Sequence, residues 1–447
     1  MNLKRRDFLK SGAALSALTV GMMPGLPFGG AVCPPLLQRR LLAGPTGTCN
    51  KKMLFIFLRG GMDGLNAVVP QGDSSYNTTS RPTLYISDAA GLDLSNGFAQ
   101  LNPQLSRMMN MYTAGDLAVI HRVGYEGQSR SHFDSQQYWE NGTLDRDLEV
   151  GIFNRLIENS SNICSDSFAA AALSSGLPVA LRGPQPVPNF RDPRDYRFRG
   201  TNSQISKFIG QPPSAGEGRG LLGFYDGNQD FPGKAYRDAV YGAGNVLVET
   251  MGHVDGVNPA SYTPANGAQY PGGTFGERAR IAAQLFKETP VQILGLNIGG
   301  WDTHTNQTGN FNGILYDVGT VFEALSLDLQ DQWDDLVVIT MTEFGRTSDE
   351  NGSLGTDHAE ATAMFVAGGS VNGGVYNCDS TTWSNGDIYS TSNGRYLAHR
   401  TDFRSIMGEI FRGHFGDSQS VVAQAIPEYS SLQSADPLGF TDLGLFS

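Results

Sequence analysis

The sequence has few cysteines, no pair of them at metal-binding spacing, and fewer basic than acidic residues. Cys33, Cys49, Cys164 and Cys378 lie far apart without a CxxC motif, which argues against a zinc-thiolate site and leaves one or two disulfides open. The chain carries 32 Lys plus Arg against 44 Asp plus Glu, a formal net charge of −12. Such a surface repels nucleic acid and anionic membranes, so we expect neither as a partner.

The N-terminal residues have the pattern of an export signal. The segment "KRRDFLK" is followed by the short, mostly apolar run "SGAALSALTVGMM", and paired arginines before such a run are typical of bacterial twin-arginine signals. The run is well short of the roughly 20 residues that a membrane-spanning helix needs. We therefore expect residues 1–31 to be a signal peptide recognised by the twin-arginine translocon and residues 32–51 to be a linker or N-terminal arm. The mature protein is then periplasmic or secreted, without a stable membrane anchor.

Apolar strands alternate with amphipathic helices from about residue 52 to the end of the chain. The predicted strands are 53–59, 117–123, 291–298, 336–342 and 363–369, and the predicted helices are 102–115, 275–288, 312–331 and 401–416. This alternation indicates an α/β fold in which a mostly parallel central sheet is covered by helices on both faces. Residues 200–274, rich in Gly, Pro and Asn around one predicted helix at 234–252, interrupt the pattern. We interpret them as an insertion or cap over the sheet.

Polar side chains follow several of these strands, where ligands gather in parallel sheets. They are Asp63 in "MLFIFLRGGMDGLN", Asp302 and His304 in "VQILGLNIGGWDTH", Glu343 and Arg346 in "LVVITMTEFGRT", and Asp357 and His358 in "LGTDHAEA". The segment 127–142, after the strand at 117–123, adds Ser131 and His132. Carboxylates and imidazoles gathered at one sheet edge need a positive charge among them. Oxygen and imidazole ligands predict a divalent ion, with zinc favoured over manganese or calcium.

Each of these residues also has an ordinary structural interpretation. Asp63 could be a turn or helix-capping residue, and Glu343 could simply pair with Arg346. His304 could be a hydrogen-bonded loop histidine, and residues 127–142 could form a helix with a serine or aspartate cap. It is their combination, at the ends of successive predicted strands, that favours a shared metal site.

Six segments together resemble a known family. They are "FLRGGMDGLNAVVP", "SRSHFDSQQYWENG", "GGWDTHTNQ", "TEFGRT", "TDHAEATAMFVAGG" and "TDFRSIMGEIF". From about residue 52 to the C-terminus the chain resembles DUF1501, a twin-arginine-exported bacterial family of unknown function. That family is similar to the alkaline phosphatase and sulfatase superfamily. The resemblance implies that residues 52–447 form an alkaline phosphatase-like three-layer sandwich with a cluster of divalent metals and a Ser, Thr or modified Cys nucleophile.

The resemblance also implies roles for individual residues. One ion would be held by Asp302, His304 and His358, and a second by Asp63 and Glu343 with His132 as an added ligand. Phe344 stands where the superfamily has a histidine, which leaves two alternatives. Either Ser131 is the nucleophile and His132 replaces the missing imidazole, or His132 is a ligand in a site that has lost its nucleophile. The substrate's oxyanion would be oriented by Arg346 or Arg130.

Two functions follow as hypotheses. The first is an exported metal-dependent hydrolase that acts on phosphate or sulfate esters of small molecules or glycans. The second is an exported binding or assembly protein that keeps the fold without turnover. Phe344 and the ambiguous nucleophile favour the second hypothesis, while the clustered Asp, His and Glu residues count against it.

Overall fold

The computed structural model describes residues 50–164, 167–196, 246–247, 249–436 and 438–446. The predicted signal peptide, nearly all of the predicted N-terminal arm and residues 200–245 of the predicted cap lie outside this part of the chain. Of the helix predicted at 234–252, residues 246–247 and 249–252 are described and helical, and the helix continues to residue 254. No helix among the described residues is long and apolar enough to cross a lipid bilayer.

Helices and strands alternate along the described chain. The strands are β1 Lys52–Leu58, β2 Val68–Pro70, β3 Leu92–Asp93, β4 Ala99–Leu101, β5 Leu117–Gly124, β6 Ala170–Leu173, β7 Asn189–Phe190, β8 Ile293–Ile298, β9 Leu336–Met341, β10 Thr362–Ala367, β11 Gly374–Tyr376 and β12 Thr401–Asp402. Among the α-helices are α1 Gly64–Ala67, α2 Met109–Ala114, α3 His132–Asn141, α4 Ile152–Asn159, α5 Gly273–Glu288, α6 Gln307–Asp328, α7 Phe403–Gly413, α8 Gln419–Ala425 and α9 Tyr429–Ala435.

The long apolar runs form strands as predicted. All five predicted strands are present, as β1, β5, β8, β9 and β10, and the predicted helices appear as α2, α5, α6 and α7. A 3₁₀ turn at Pro103–Met108 forms the first half of the helix predicted at 102–115. Strand β6 was not predicted because its residues, AAAL, lack the large β-branched side chains that mark a strand.

Strands β5 to β12 and β1 form one mixed sheet in the order β11-β5-β10-β9-β1-β8-β6-β7, with β12 also beside β5. Strand β1 lies between β8 and β9 and is parallel to both. Strand β10 is antiparallel to its neighbours β5 and β9, whereas the other neighbouring pairs in this sheet are parallel. The prediction of a mostly parallel sheet is therefore confirmed. The carboxyl ends of β1, β5, β8 and β9 therefore share one edge of the sheet with the start of β10. Strands β2, β3 and β4 form a separate small antiparallel sheet.

Alternate side chains of β1 enter two separate cores, one on each face of the sheet. The first core contains Leu54, Ile56 and Leu58, and the second contains Met53, Phe55 and Phe57. Phe311 of α6 packs in the first core, and Phe411 of α7 packs in the second. A strand buried on both faces needs apolar residues at every position, which is why β1 reads as an uninterrupted apolar run.

Two glycines allow the loops at the site edge to approach each other closely. Gly60 has a φ of +127°, and a Cβ there would lie 2.4 Å from the backbone nitrogen of Asp302. Gly300 has a φ of +98°, and a Cβ there would lie 2.6 Å from Cδ1 of Ile314. Only glycine combines this backbone conformation with so little space. The loop after β1 consequently packs directly against the loop that carries Asp302.

The central strand offers a test of the described core. We expect Leu54→Ala to lower the free energy of unfolding by about 2–5 kcal/mol, because it leaves a cavity under a fully buried side chain. The matched control is Leu438→Ala, at a position where the leucine is 60% exposed, and it should change stability by less than about 0.5 kcal/mol. Urea unfolding followed by circular dichroism compares the two. Equal effects of the two substitutions would contradict the assignment of β1 to the core.

Candidate metal centre

Three histidines and one aspartate meet at the carboxyl edge of the sheet. Asp302 and His304 follow β8, His358 precedes β10, and His132 is the first residue of α3, which follows β5. Their side chains are between 23% and 48% exposed. The group is therefore accessible from solvent while its backbone is anchored to the sheet.

The ligand-type atoms of these four residues converge. Oδ1 of Asp302 lies 3.0 Å from Nε2 of His304, 3.2 Å from Nε2 of His358 and 3.5 Å from Nε2 of His132. The Nε2 atoms of His304 and His358 are 2.9 Å apart. One ligand atom each from His132, Asp302 and His358 also lies within 4.8 Å of the other two. Asp302 and His358 thus lie close to both other histidines, and the three residues whose ligand atoms all lie near one another are His132, Asp302 and His358.

Each of the three imidazole rings is held through its other nitrogen by a hydrogen-bond acceptor. Nδ1 of His132 donates to Oε1 of Glu343 at 2.8 Å, and Nδ1 of His304 donates to Oδ1 of Asp357 at 2.9 Å. Nδ1 of His358 donates to the backbone carbonyl of Arg130 at 2.9 Å. Carboxylates and carbonyls only accept, so the proton of each neutral ring lies on Nδ1. Each Nε2 then presents a lone pair toward Oδ1 of Asp302.

The pKa shifts of the surrounding groups support this protonation pattern. Burial alone would raise the pKa of Glu343, but the hydrogen bonds that it accepts, led by the one from His132, hold the pKa below its usual range. Burial is also outweighed at Asp302, where hydrogen bonds and nearby positive charge, led by Arg346, lower the pKa to about 2. Desolvation lowers the pKa of His358, which keeps that ring neutral at neutral pH. The hydrogen bond to Glu343 raises the pKa of His132 above its usual value. The site therefore contains ionised carboxylates beside imidazole nitrogens, and His132 is a ring whose protonated form the site stabilises.

When the three rings are neutral, their Nε2 lone pairs face the Asp302 carboxylate, and either a cation or a proton on Nε2 must lie between them. Nε2 of His132 is buried and has no hydrogen-bond partner within the described part of the chain. Two ligands at about 2.1 Å from one tetrahedral ion are about 3.4 Å apart, close to the spacings observed here. His132, Asp302 and His358 could therefore hold one divalent ion, with His304 beside them. The nitrogen-rich set suits zinc better than calcium, which prefers oxygen ligands.

Glu343, expected to be a ligand, instead orients a ligand-type histidine. It is fully buried, and its Oε1 accepts hydrogen bonds of 2.8 Å from the backbone of Gly60, from Gln136 and from His132. A carboxylate in this position fixes the orientation of the ring and raises the basicity of the ligating nitrogen.

Asp357, also expected to be a ligand, has the same supporting role for a second histidine. Its Oδ1 accepts from Nδ1 of His304 and, at 3.1 Å, from the side-chain amide of Asn351. Glu343 and Asp357 differ from the prediction for the same physical reason. Each carboxylate contacts Nδ1 of an imidazole ring and therefore lies on the opposite side of the ring from Nε2.

Asp63 lies apart from the four converging residues, which corrects the prediction that it is a ligand of a second ion. Asp63 and Arg81 are both fully buried and form an ion pair with an N–O distance of 2.7 Å. The carboxylate also accepts from Gln307 at 2.6 Å and from the amide of Asn66, as the cap of α1. Arg81 thus supplies the positive charge that Asp63 needs, without an ion. With Glu343 also engaged elsewhere, two of the three predicted ligands of the second ion are accounted for in other ways.

The side chain of Gln307 links Asp63 to the two loops that carry the converging residues. Its amide donates to Asp63, while its Oε1 accepts from the hydroxyl of Thr303 at 2.8 Å and from the hydroxyl of Thr356 at 2.6 Å. Thr303 lies between Asp302 and His304, and Thr356 directly precedes Asp357. The buried ion pair therefore supports the geometry of the site from beneath.

Arg346 is fully buried and cannot orient a substrate, which corrects that prediction. Its guanidinium donates to the backbone carbonyls of Gly60, Gly61, Trp301 and Thr356. It also donates to Oδ1 of Asp302 at 2.7 Å. Arg346 consequently clamps three loops together and positions the Asp302 carboxylate.

Ser131 caps α3, which is the structural alternative recognised in the sequence. Its hydroxyl accepts from the amide of Asp134 at 3.5 Å, a long hydrogen bond. His132, the next residue, packs against Phe344 with 4.9 Å between the ring centroids. The imidazole of His132 thus lies beside the ring of Phe344. Gln136, one turn along α3 from His132, was missed, although an i,i+4 spacing on one helix indicates a shared face.

The contact between His132 and Glu343 predicts a measurable titration in protein freed of metal by a chelator. Histidine ring signals followed by NMR should show a pKa for His132 above 6.5, because Glu343 stabilises the protonated ring. Glu343→Gln should lower this pKa, since a neutral amide does not stabilise the imidazolium. The control Asp357→Asn removes a carboxylate that contacts His304 instead, and it should leave the titration of His132 nearly unchanged. A pKa for His132 that does not respond to Glu343→Gln would refute this account.

Comparison with known proteins relates the site to one family. The family model for DUF1501, a protein family of unknown function, matches residues 250–398, a span that contains Asp302, His304 and His358 but not His132. No curated protein matches the sequence. Among solved structures, the crystal structure of Ps i-CgsB in complex with k-i-k-neocarrahexaose is similar, with a TM-score of 0.36 and 10% sequence identity over 85% of this chain and 76% of that chain. The chain is therefore similar to the DUF1501 family over residues 250–398.

Proposed function

We propose that this protein is an exported metal-dependent hydrolase of phosphate or sulfate esters. In this proposal His132, Asp302, His304 and His358 hold one divalent ion, with zinc favoured. The observation that supports it most is that Nε2 of three histidines lies near Oδ1 of Asp302, while Nδ1 of each ring is hydrogen-bonded to an acceptor. With the rings neutral, a cation relieves the repulsion between the Nε2 lone pairs and the Asp302 carboxylate; without a cation, protonation of the rings does the same.

A divalent ion held at this point would lower the pKa of a water molecule and polarise an ester oxygen. The chain's own residues prepare the site for that chemistry. Glu343 and Asp357 hold two imidazoles in the tautomer that exposes Nε2. Arg346 keeps Asp302 ionised, with its pKa lowered to about 2. Because the four side chains are partly exposed, an ester can reach them without a large opening of the fold.

Two nucleophiles are compatible with the site. The hydroxyl of Ser131 lies directly before His132 in the chain, and its cap interaction uses it as an acceptor, which leaves its proton available for transfer to a base. A water molecule is the alternative, and it requires no side-chain nucleophile.

The proposed fold and location draw on further observations. The mostly parallel sheet, covered by helices on both faces and bearing the site at its carboxyl edge, supports an alkaline phosphatase-like sandwich. Cys164 is disulfide-bonded, and structural disulfides persist mainly in oxidising compartments. That agrees with export through the twin-arginine translocon.

Metal content is the first test of the proposal. Elemental analysis of the exported protein should find about one divalent ion per chain, and Asp302→Ala should lose it. Glu343→Gln should weaken metal affinity by about 10- to 100-fold, since it loosens the ring of His132 without removing a ligand. The control His399→Ala changes a histidine outside the four converging residues and should retain the ion. Fully stable protein without metal would overturn the proposal.

Turnover is the second test, measured on aryl phosphate and aryl sulfate esters. Wild-type protein should hydrolyse at least one of them, and Asp302→Ala should reduce the rate to background. Ser131→Ala should abolish turnover if the seryl oxygen attacks, and should leave most of it if water attacks.

A protein that binds one ion per chain but hydrolyses no ester would favour the exported binding protein instead. The capping role of Ser131 and the burial of Arg346 support this alternative of a binding protein without turnover.

A further inference from the structure

Two arginines beside the histidine cluster stack on one buried tyrosine. Cζ of Arg130 lies 5.2 Å and Cζ of Arg395 lies 5.5 Å from the ring centroid of Tyr396. Tyr396 is only 6% exposed, whereas both arginines are exposed. The tyrosine thus fixes the two guanidinium groups by cation–π contact while their N–H groups stay accessible.

Arg130 and Arg395 both border the four converging residues. The backbone carbonyl of Arg130 accepts the Nδ1–H of His358 at 2.9 Å. Arg395 shares the ring of Tyr396 with Arg130. The two arginines therefore lie beside the backbone group that supports His358.

The backbone around Arg395 is also tied to the loop that carries Arg346. The carbonyl of Arg395 accepts a hydrogen bond of 3.4 Å from the amide of Ser348, two residues after Arg346. The segment that presents the Arg395 guanidinium is thus connected to the same loop that positions the Asp302 carboxylate.

Arg395 and Tyr396 belong to a turn that hydrogen bonds hold in one conformation. The amide of Thr391 donates to the carbonyl of Tyr396 at 3.0 Å, and the amide of Tyr396 donates back to the Thr391 hydroxyl at 3.1 Å. The amide of Arg395 donates to the side chain of Asn393 at 3.0 Å. A ligand that contacts Arg395 would thus meet a turn that is already ordered, which reduces the entropic cost of binding.

The positive charge of these two side chains is poorly compensated by the protein. Among the residues that the structure describes, Arg395 makes no ion pair with a carboxylate, and Arg130 reaches only Glu360, at 3.5 Å. The chain as a whole is acidic, with a formal net charge of −12. Guanidinium groups match the geometry of sulfate, phosphate and carboxylate oxygens better than other cationic side chains do.

We propose that Arg130 and Arg395, stacked on Tyr396, form an anion-binding subsite beside the histidine cluster. It recognises an acidic group of the substrate, a sulfate or a phosphate, that lies outside the bond to be cleaved. The preferred ester then carries a second anionic group near the scissile one. That statement about the substrate rests on the proposed hydrolase function, whereas anion binding by the two arginines does not.

The test follows the two guanidinium groups directly. Full-length protein labelled with ¹⁵N-arginine is titrated with sodium sulfate, with sodium chloride keeping the ionic strength constant, both as purified and after chelator treatment. The Nε–Hε signals of Arg130 and Arg395 should shift together and saturate with one dissociation constant in both preparations. Arg395→Gln should weaken sulfate binding about tenfold, because it removes a charge-assisted contact.

The matched control is Arg182→Gln, which changes an exposed arginine whose guanidinium donates to the carbonyl of Leu177. It should bind sulfate as the wild type does. Guanidinium signals that respond no more to sulfate than to chloride would overturn the subsite, as would unaltered sulfate affinity in Arg395→Gln.

These results are separable from a failure of the proposed function. Sulfate binding at the two arginines in a protein without metal or turnover would support the subsite and reject the hydrolase. Metal and turnover in a protein whose arginine signals ignore sulfate would reject the subsite alone.

Discussion

The site depends on one constraint, which is that three imidazole rings are each held at Nδ1 by a group that can only accept a hydrogen bond. Glu343, Asp357 and the carbonyl of Arg130 are those acceptors. The constraint leaves each Nε2 with an outward lone pair, and the fold directs all three toward Oδ1 of Asp302. Such groups are stable together around a cation, or with protons on Nε2 that donate to the carboxylate. The chemistry that we propose follows from this geometry.

Buried arginines supply the positive charge elsewhere at the same sheet edge. Arg81 neutralises Asp63, and Arg346 joins the carbonyls of three loops to the Asp302 carboxylate. Removing one partner from a buried pair such as Asp63 and Arg81 costs about 3–5 kcal/mol, so these groups are tied to folding. Gln307 then transmits the position of Asp63 to both loops that carry the converging residues. The open cluster is thus built on a buried polar layer.

The strands that carry Asp302, His304 and His358 could be predicted, because the apolar runs of β8 and β10 are visible in the sequence. That these three residues bind one ion stays a prediction. The partners of individual side chains could not be predicted. Asp63 pairs with Arg81, 18 residues along the chain beyond α1 and β2, and Glu343 contacts His132 across more than 200 residues. No local pattern distinguishes a carboxylate that binds an ion from one that binds an arginine or an imidazole.

The sequence alone determined the alternation of helices and strands, the buried central strand and the edge at which polar residues gather, because hydrophobic periodicity is a local property. The tertiary structure decided which of those polar residues face one another. It placed His132 with Asp302, His304 and His358, moved Asp63 and Arg346 into the interior, and set Arg130 and Arg395 on the ring of Tyr396. The physical reason is that ligand geometry requires positions accurate to about half an ångström, and only the packing of distant segments provides that accuracy.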